Sequence, residues 1–191
     1  MNLDIFRLRL IESNQTFIRH FSVHPTSISL HTKSQIRLYN DLADKDMIYF
    51  EVTGSLLRRQ KNGNDYQIYT ILVRNSQQWG VSLPVANNVA TSRDSVSISH
   101  FIEKFHVDQV MECGKAKKNS FMIIDGSAAV WNGVLKAMCG ETRLEYYWRC
   151  FRKVIGEPAS GDLGKTIVYN CYSHSMKAAG ILYNKYYGAN V

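Results

Sequence analysis

Residues 120–138 read Ser-Phe-Met-Ile-Ile-Asp-Gly-Ser-Ala-Ala-Val-Trp-Asn-Gly-Val-Leu-Lys-Ala-Met. Four consecutive apolar residues, 121–124, predict a short strand that is buried on both faces. Ser127 suits the N-cap of a helix that follows at once. Its apolar residues recur at i, i+3, i+4 and i+7 on one helical face: Trp131, Val134, Leu135 and Met138. The stretch therefore predicts a strand, a turn and a helix, with Asp125 at the carboxyl end of the strand.

The position of Asp125 is typical of a functional residue, because ligands gather at the carboxyl ends of strands in open α/β sheets. A buried carboxylate also needs a cation, a hydrogen-bond donor or solvent. The alternative is structural, since Asp is favoured at helix starts and Asp125 could help to cap the following helix.

The composition predicts a globular domain. The chain has 191 residues, of which 45% are hydrophobic, with only 3 Pro and 12 Gly. Its apolar runs are far shorter than a membrane span, and the first residues lack the pattern of a signal peptide. The 4 Cys residues are widely spaced and form no CxxC pair. We therefore expect a protein that is not secreted, has no membrane partner and keeps its thiols reduced in the nucleus or cytoplasm.

The charge is concentrated in the second half of the chain. Residues 1–112 contain 12 Lys and Arg against 11 Asp and Glu, whereas residues 113–191 contain 11 against 5. A basic surface favours a polyanionic partner, and DNA is the partner we predict, although a solvated basic surface is the alternative. The candidate DNA-binding residues are Arg58, Arg59, Lys115, Lys117, Lys118, Arg152 and Lys153.

The first part of the chain predicts an arm followed by a meander. Residues 1–45 are expected to form an N-terminal arm with an edge strand over 21–31, broken at Pro25, and a short helix after the capping box of Thr32 and Gln35. Strands are predicted at 47–52, 65–74 and 80–89, where Pro84 indicates an edge or a bulge. The short links between these strands favour an antiparallel meander. The second predicted unit, residues 46–191, starts with this meander.

Helices and strands alternate after the meander. A helix that begins near Ser92 or Asp94 is followed by the basic loop 115–118 and the strand at 121–124. A further helix, 141–155, has one apolar stripe that we expect in the core, although with its neighbouring basic residues it could instead contact nucleic acid. A strand at 166–169 and a last helix complete the order. In the helix that begins near Ser92 or Asp94, the predicted core residues are Ile98, Phe101, Ile102 and Phe105. In the 141–155 stripe they are Leu144, Tyr147, Trp148, Phe151 and Ile155.

This order predicts an α/β fold, with a mixed sheet built from a three-strand antiparallel meander plus parallel strands and with flanking helices. It is compatible with a ribonuclease H-like fold. Such folds place carboxylates of the first and fourth strands side by side, and here those positions hold Glu51 and Asp125. Adjacent carboxylates favour a divalent cation between them, and oxygen ligands suit Mg²⁺ or Mn²⁺. Such metals can activate the nucleophile and stabilise the leaving oxygen in phosphodiester chemistry.

Four segments resemble the catalytic domain of Mutator-like (MULE-type) DNA transposases, of the acid-triad class, in the family's order. Residues 48–55, Ile-Tyr-Phe-Glu-Val-Thr-Gly-Ser, resemble the family's strand ending in Asp-Ala-Thr-Gly, and residues 80–85 resemble its third strand. Residues 123–127 resemble the segment with the second acid, and Cys171-Tyr-Ser-His174 resembles its Cys-x-x-His motif. The resemblance implies metal-dependent DNA cleavage and transfer in the nucleus, with Glu51, Asp125 and His174 at the catalytic site.

The chain also departs from the family pattern. Glu51 stands where the family has Asp, and no Asp or Glu follows Asp162 to supply the third acid. The family's DNA-binding zinc finger is missing as well. We therefore expect a truncated or domesticated, transposase-derived domain that binds DNA and is catalytically impaired, so whether it is an enzyme stays open. The alternatives are an active transposase, and a protein-interaction domain without a nucleic-acid role.

Cys171 and His174 could provide two zinc ligands, with Cys150, Cys139 or His106 completing the set in space. We do not expect zinc, because structural zinc sites normally contain two paired motifs. The simpler interpretation packs Cys171 in the core and places His174 near Asp125. No small-molecule substrate is expected, whereas a homo-oligomer is compatible with the sequence.

Overall fold

The computed structural model describes residues 17–23, 25–54, 65–75 and 81–176. The strands in these ranges are β1 (Ile18–Ser22), β2 (Ser27–Leu30), β3 (Ile48–Gly54), β4 (Gln67–Asn75), β5 (Val81–Ala90), β6 (Phe121–Ile124) and β7 (Ile167–Asn170). The helices are α1 (Lys33–Leu42), α2 (Ser95–Cys113), α3 (Ala128–Cys139) and α4 (Arg143–Val154). A 3₁₀ turn at Ser160–Asp162 precedes β7, and residues 172–176 begin a further helical turn.

All of these strands join one mixed sheet in the order β1-β2-β5-β4-β3-β6-β7. Strands β3, β4 and β5 form an antiparallel meander, while β6 runs parallel to β3 and β7 runs parallel to β6. The parallel pairs follow from the helices that connect them, since a parallel neighbour requires a crossover. The predicted α/β class, with a meander, parallel strands and flanking helices, is confirmed.

The N-terminal strands form a hairpin. Instead of a single edge strand broken at Pro25, β1 and β2 pair antiparallel, and Pro25 lies in the turn between them. Proline suits this turn because it donates no ladder hydrogen bond. Strand β2 then pairs with the last four residues of β5, so the hairpin extends the same sheet. A domain boundary at residue 45 stays a prediction.

A bulge in β5 accommodates Pro84. Ile71 of β4 lies opposite Ala86, whereas the next residue, Leu72, lies opposite Pro84, so Val85 is the extra residue. The predicted bulge is confirmed. Strand β2 reaches only the β5 residues from Asn87 to Ala90, which leaves the other side of Pro84 unpaired with any strand. A residue without an N–H group is tolerated at such a place.

The hydrophobic core lies between the sheet and the helices. The predicted core residues of α2 and α3 are buried, and each helix begins at a predicted cap, Asp94 or Ser127. Thr32 and Gln35 form the predicted capping box of α1. Gly133 of α3 lies against Ile98 of α2, so the missing side chain lets the two helices approach closely.

Helix α4 contradicts the predicted core stripe. The exposed fraction is 67% for Leu144, 50% for Tyr147, 56% for Trp148, 53% for Phe151 and 48% for Ile155. The helix instead buries Tyr146 and Arg149, which were not predicted in the core.

The physical reason is the open edge of β7, whose backbone groups need partners. The Tyr146 hydroxyl donates to Val168 O at 2.6 Å and accepts from Val168 N at 3.0 Å. The guanidinium of Arg149 donates to Thr166 O at 2.9 Å. Because these polar side chains must face the strand edge, the apolar side of α4 faces away from the core.

Within the described part of the chain, no helix is both long and apolar enough to cross a membrane.

Candidate functional site

Glu51 and Asp125 lie on or directly after neighbouring parallel strands. In the register of β3 and β6, Phe50 pairs with Ile124, and the amide of Asp125 continues the ladder by donating to Phe50 O at 3.4 Å. Asp125 lines a cavity of about 270 Å³ together with Val52. Since side chains alternate along a strand, Glu51 projects from the face of β3 opposite to Phe50 and Val52, and it is not among the described residues that line this cavity.

The two carboxylates have different surroundings. Glu51 is exposed and has no hydrogen bond or ion pair with any described residue. Asp125 is half-buried, and its Oδ1 accepts a hydrogen bond from the Ser127 amide at 3.0 Å. Asp125 therefore stabilises the turn into α3, as the structural alternative predicts, while Ser127 itself is the N-cap. One carboxylate oxygen of Asp125 has no protein donor among the described residues.

The Cys-x-x-His segment starts beside this pair of strands. The Cys171 amide donates to Ile124 O at 2.8 Å, which places Cys171 next to the end of β6. The hydrogen bond from the His174 amide, with those from the His174 side chain and the Ser173 amide, lowers the pKa of the Cys171 thiol, although burial opposes this. His174 is exposed. Cys171 thus lies half-buried at the start of a helical turn rather than fully in the core.

Asn170 belongs to the same end of the sheet and was missed by the sequence analysis. It pairs with Ile124 in the β6–β7 register, and its Oδ1 accepts a hydrogen bond from the Trp131 indole at 2.6 Å. The side chain thereby joins β7 to the first turn of α3. No sequence pattern marks this role, because an Asn after a short strand is common in turns.

A metal bound in this cavity would meet one carboxylate, that of Asp125. Among the described residues, no group of three or more His, Cys, Asp or Glu side chains is arranged to hold a metal ion. Asp125 suits a hard cation such as Mg²⁺ or Mn²⁺ only if water or phosphate oxygens supply the other ligands. Cys139, one of the residues that could complete a zinc site, lies away from Cys171. Its thiol donates to Thr166 O at 3.4 Å, at the amino end of β7.

The predicted DNA-binding residues fall in separate places. The loop with Lys115, Lys117 and Lys118 lies at the amino end of β6, opposite to Asp125. Lys115 and Lys118 are exposed, whereas Lys117 forms an ion pair with Asp44 at 2.9 Å. Arg58 and Arg59 lie outside the described residues.

The other two candidates lie on α4. Arg152 donates two hydrogen bonds of 2.8 Å to the carboxylate of Asp162, so its charge is largely neutralised. Lys153 has no acidic partner among the described residues, and Arg143 contacts only the Tyr147 hydroxyl, at 3.5 Å. Glu141 binds Arg149 and Lys165, and Glu145 caps the helix. Arg143 and Lys153 are thus the unpaired cations of α4, while Glu157, just beyond its end, is an exposed acid without an ionic partner among the described residues.

The same helix has an exposed apolar surface, which we name the α4 aromatic face. The rings of Trp148 and Phe151 pack edge-on with their centres 5.9 Å apart. The ring centres of Tyr147 and Trp131 are 6.3 Å apart. Five apolar side chains on one side of the helix are each about half exposed or more. They form a contiguous group, whereas exposed apolar residues on a protein surface usually occur singly. The face consists of Leu144, Tyr147, Trp148, Phe151 and Ile155.

The fold and these residues define a mixed α/β protein with Asp125 in a cavity directly after β6 and an exposed aromatic helix at the edge of its sheet. No family model and no curated protein matches the chain. A solved structure of NurA bound to dAMP and manganese is 15% identical over 83% of this chain and 42% of that chain, with a TM-score of 0.16. A likeness this weak supports no argument about fold or function.

Proposed function

We propose that this chain is a transposase-derived, DNA-binding domain of ribonuclease H-like fold whose catalysis is impaired. Supporting the fold is the order β5-β4-β3-β6-β7, an antiparallel trio extended by two parallel strands next to its first member. Supporting the Mutator-like relationship are the four resembling segments in family order, with Glu51 and Asp125 on neighbouring strands. DNA as the partner implies a location in the nucleus.

The α4 aromatic face is the single observation that carries DNA binding. Solvent-exposed aromatic rings beside unpaired cations are the elements of a surface on which bases stack while phosphates meet Lys and Arg. Trp148 and Phe151 offer the rings, and Arg143, which contacts the Tyr147 hydroxyl, offers a positive charge beside them. Stacking contributes about 1–3 kcal/mol per base, and phosphate contacts make the affinity fall with salt.

Fluorescence anisotropy with a labelled single-stranded oligonucleotide, and with its duplex, tests this proposal. We expect binding at low salt that weakens steeply as salt rises, with single strands preferred because their bases are free to stack. Trp148→Ala should weaken binding about 5- to 150-fold, the equivalent of one stacking contact. Met111→Ala, at an exposed apolar residue of α2, is the matched control and should leave the affinity unchanged.

Two outcomes contradict DNA binding. Absence of binding to DNA or RNA at low salt would favour the protein-interaction alternative, in which the α4 aromatic face contacts another protein. Equal affinity of the parent and Trp148→Ala would show that α4 is not the DNA-contacting surface. Circular dichroism of both variants separates these results from misfolding.

The position of Asp125 directly after β6, in a cavity, favours a second candidate, metal-dependent DNA cleavage. In that mechanism Asp125 would hold Mg²⁺ or Mn²⁺ together with water and phosphate oxygens, the metal would supply the Lewis acid for phosphodiester chemistry, and His174 would orient a phosphate. Nicking of supercoiled DNA by the parent, lost in Asp125→Asn, would establish this activity and contradict the proposed impairment. Lack of nicking by either protein, with DNA binding intact, is the result we expect.

A further inference from the structure

The helix-facing side of the β1–β2 hairpin is polar where a core face should be apolar. In the hairpin register His20 lies opposite Ser29, and Ser22 lies opposite Ser27, so these four side chains share one face. The hydroxyls of Ser27 and Ser29 both donate to Asn88 Oδ1, at 2.8 and 3.2 Å. Burying such groups is costly, so a polar face under a helix indicates a function other than packing.

Helix α2 presents a matching polar stripe to this hairpin. Ser97, His100, Phe101 and Lys104 recur at i, i+3, i+4 and i+7 on one side of α2. The two surfaces enclose a cavity of about 550 Å³. This volume is in the range of small-molecule sites, which combine apolar walls with a few polar groups. The residues that line it include His20, Ser22, Ser27, Ser29, His100 and Lys104.

The hydrogen-bond donors of this cavity suit an anion. Three nitrogen side chains, His20, His100 and Lys104, line it, and no carboxylate is among the described residues of its lining. Lys104 has no acidic partner among the described residues. Asp108 contacts His20, which lines the cavity. Its carboxylate accepts hydrogen bonds from His20 Nε2 at 2.9 Å and from His31 Nε2 at 2.7 Å. An ionised Asp108 holds the proton of His20 on Nε2 and so fixes the orientation of the ring.

The cavity also has apolar walls, contributed by Phe101, Val96 and Pro25. A free phosphate would fill only a small part of about 550 Å³. We propose that this cavity binds a phosphate monoester with a flat aromatic group, its phosphate at Lys104 and His100 and its ring against Phe101. This ligand class departs from our expectation of no small-molecule ligand, and it does not depend on DNA binding.

Calorimetric titration of the whole chain tests this site with three probes: phenyl phosphate, inorganic phosphate and benzyl alcohol. Phenyl phosphate should bind most tightly, inorganic phosphate more weakly, and benzyl alcohol should not bind measurably. Lys104→Met should weaken phenyl phosphate binding about 10-fold or more, as expected for a lost charged hydrogen bond. His100→Ala, at an exposed residue, should weaken it without affecting folding.

Matched controls make the result decisive. Lys136→Met removes an exposed Lys of α3, which is outside the cavity, and should bind phenyl phosphate like the parent. Trp148→Ala should also bind it like the parent, which separates this site from the DNA surface. The proposal is overturned if neither anion binds, if benzyl alcohol binds as tightly as phenyl phosphate, or if both Lys104→Met and His100→Ala retain full affinity.

Discussion

Single residues at the edge of the sheet explain why α4 packs as it does. The side chain of Arg149 is completely buried, yet it carries a full charge. Its Nε donates to both oxygens of Glu141, at 3.0 and 2.9 Å, and its guanidinium carbon lies 5.0 Å from the centre of the Tyr146 ring. Lys165 also binds Glu141, at 2.7 Å. These partners offset the cost of burying the charge, although Nη1 of Arg149 is buried without a hydrogen-bond partner.

Replacing Arg149 should therefore be costly. Arg149→Ala leaves the buried Glu141 with Lys165 alone and leaves Thr166 O with only the weak thiol donor of Cys139, so we expect a loss of about 3–5 kcal/mol in the free energy of unfolding. Urea denaturation measures it. Arg143→Ala, at an exposed Arg on the same helix, is the control and should change stability by less than about 0.5 kcal/mol. Similar losses in the two variants would contradict the buried ion pair.

Asp162 gives the fold a defined acid response. The hydrogen bonds from Arg152, aided by the amide of Ala159, lower the pKa of Asp162 from 3.8 to about 2. A carboxyl group with a lowered pKa in the folded state stabilises above its unfolded pKa, and this contribution disappears as the pH falls through the folded pKa.

The loss of stability caused by Asp162→Asn should thus have its full size at pH 5–7. The deficit relative to the parent should shrink below a pH of about 4 and approach zero near a pH of about 2, which follows from these pKa values. Urea denaturation of both proteins across this range measures it. Asp41→Asn, at an exposed residue without a described partner, should show no such trend. A deficit of constant size down to the acid end would contradict the assignment.

At the scale of elements, contact with neighbouring elements decides which side of each helix is buried. The stripes of α2 and α3 are buried because both helices lie over the sheet and against each other. The apolar stripe of α4 has the same periodicity but is exposed, because α4 lies along the edge of β7. Periodicity identifies an apolar side and cannot tell whether a core or a partner will cover it.

The close crossing of α2 and α3 depends on Gly133. A Cβ at this position would lie 2.7 Å from Ile98 Cγ2 and 2.8 Å from Ser95 O. Ala normally gains about 1 kcal/mol over Gly within a helix. Here we expect Gly133→Ala to destabilise instead, by about 1–3 kcal/mol, because the two helices must separate.

Thermal or urea unfolding measures this change. Gly161→Ala is the matched control, since a Cβ there meets no atom within 4 Å and its φ is not in the left-handed region. The control should stay within about 0.5 kcal/mol of the parent. Stabilisation by Gly133→Ala would show that the helices have room for a methyl group.

At the scale of the whole molecule, one carboxylate joins the hairpin to the helical layer. Asp108 of α2 binds both His20 of β1 and His31, which follows β2. Burial opposes its ionisation, but the hydrogen bonds from the two histidines outweigh it and hold the pKa of Asp108 well below its usual range. The hairpin is otherwise tied to the sheet by the four residue pairs between β2 and β5.

Asp108→Asn should consequently loosen the hairpin before the rest of the sheet. Hydrogen exchange measured by mass spectrometry should become faster in peptides covering β1 and β2, while peptides covering β3 and β4 stay unchanged. Asp41→Asn is again the control. Equal acceleration throughout the sheet would show that the hairpin and the core unfold as one unit, contrary to the predicted boundary at residue 45.

The sequence by itself determined most of the local structure. The apolar run at 121–124, the caps Ser127 and Thr32 and the stripes of α2 and α3 predicted their elements, because these signals depend on neighbours within a few residues. The alternation of strands and helices likewise determined the mixed sheet. The parallel pairing of β3, which contains Glu51, with β6, which precedes Asp125, followed from this order.

Only the tertiary structure decided what each surface meets. The burial of Arg149, the exposure of the α4 aromatic face and the polar cavity under the hairpin depend on residues far apart in the chain, such as His20 and Asp108. No local pattern encodes these contacts. An Arg is buried when a strand edge and a carboxylate surround it, and an aromatic stripe is exposed when no element lies over it.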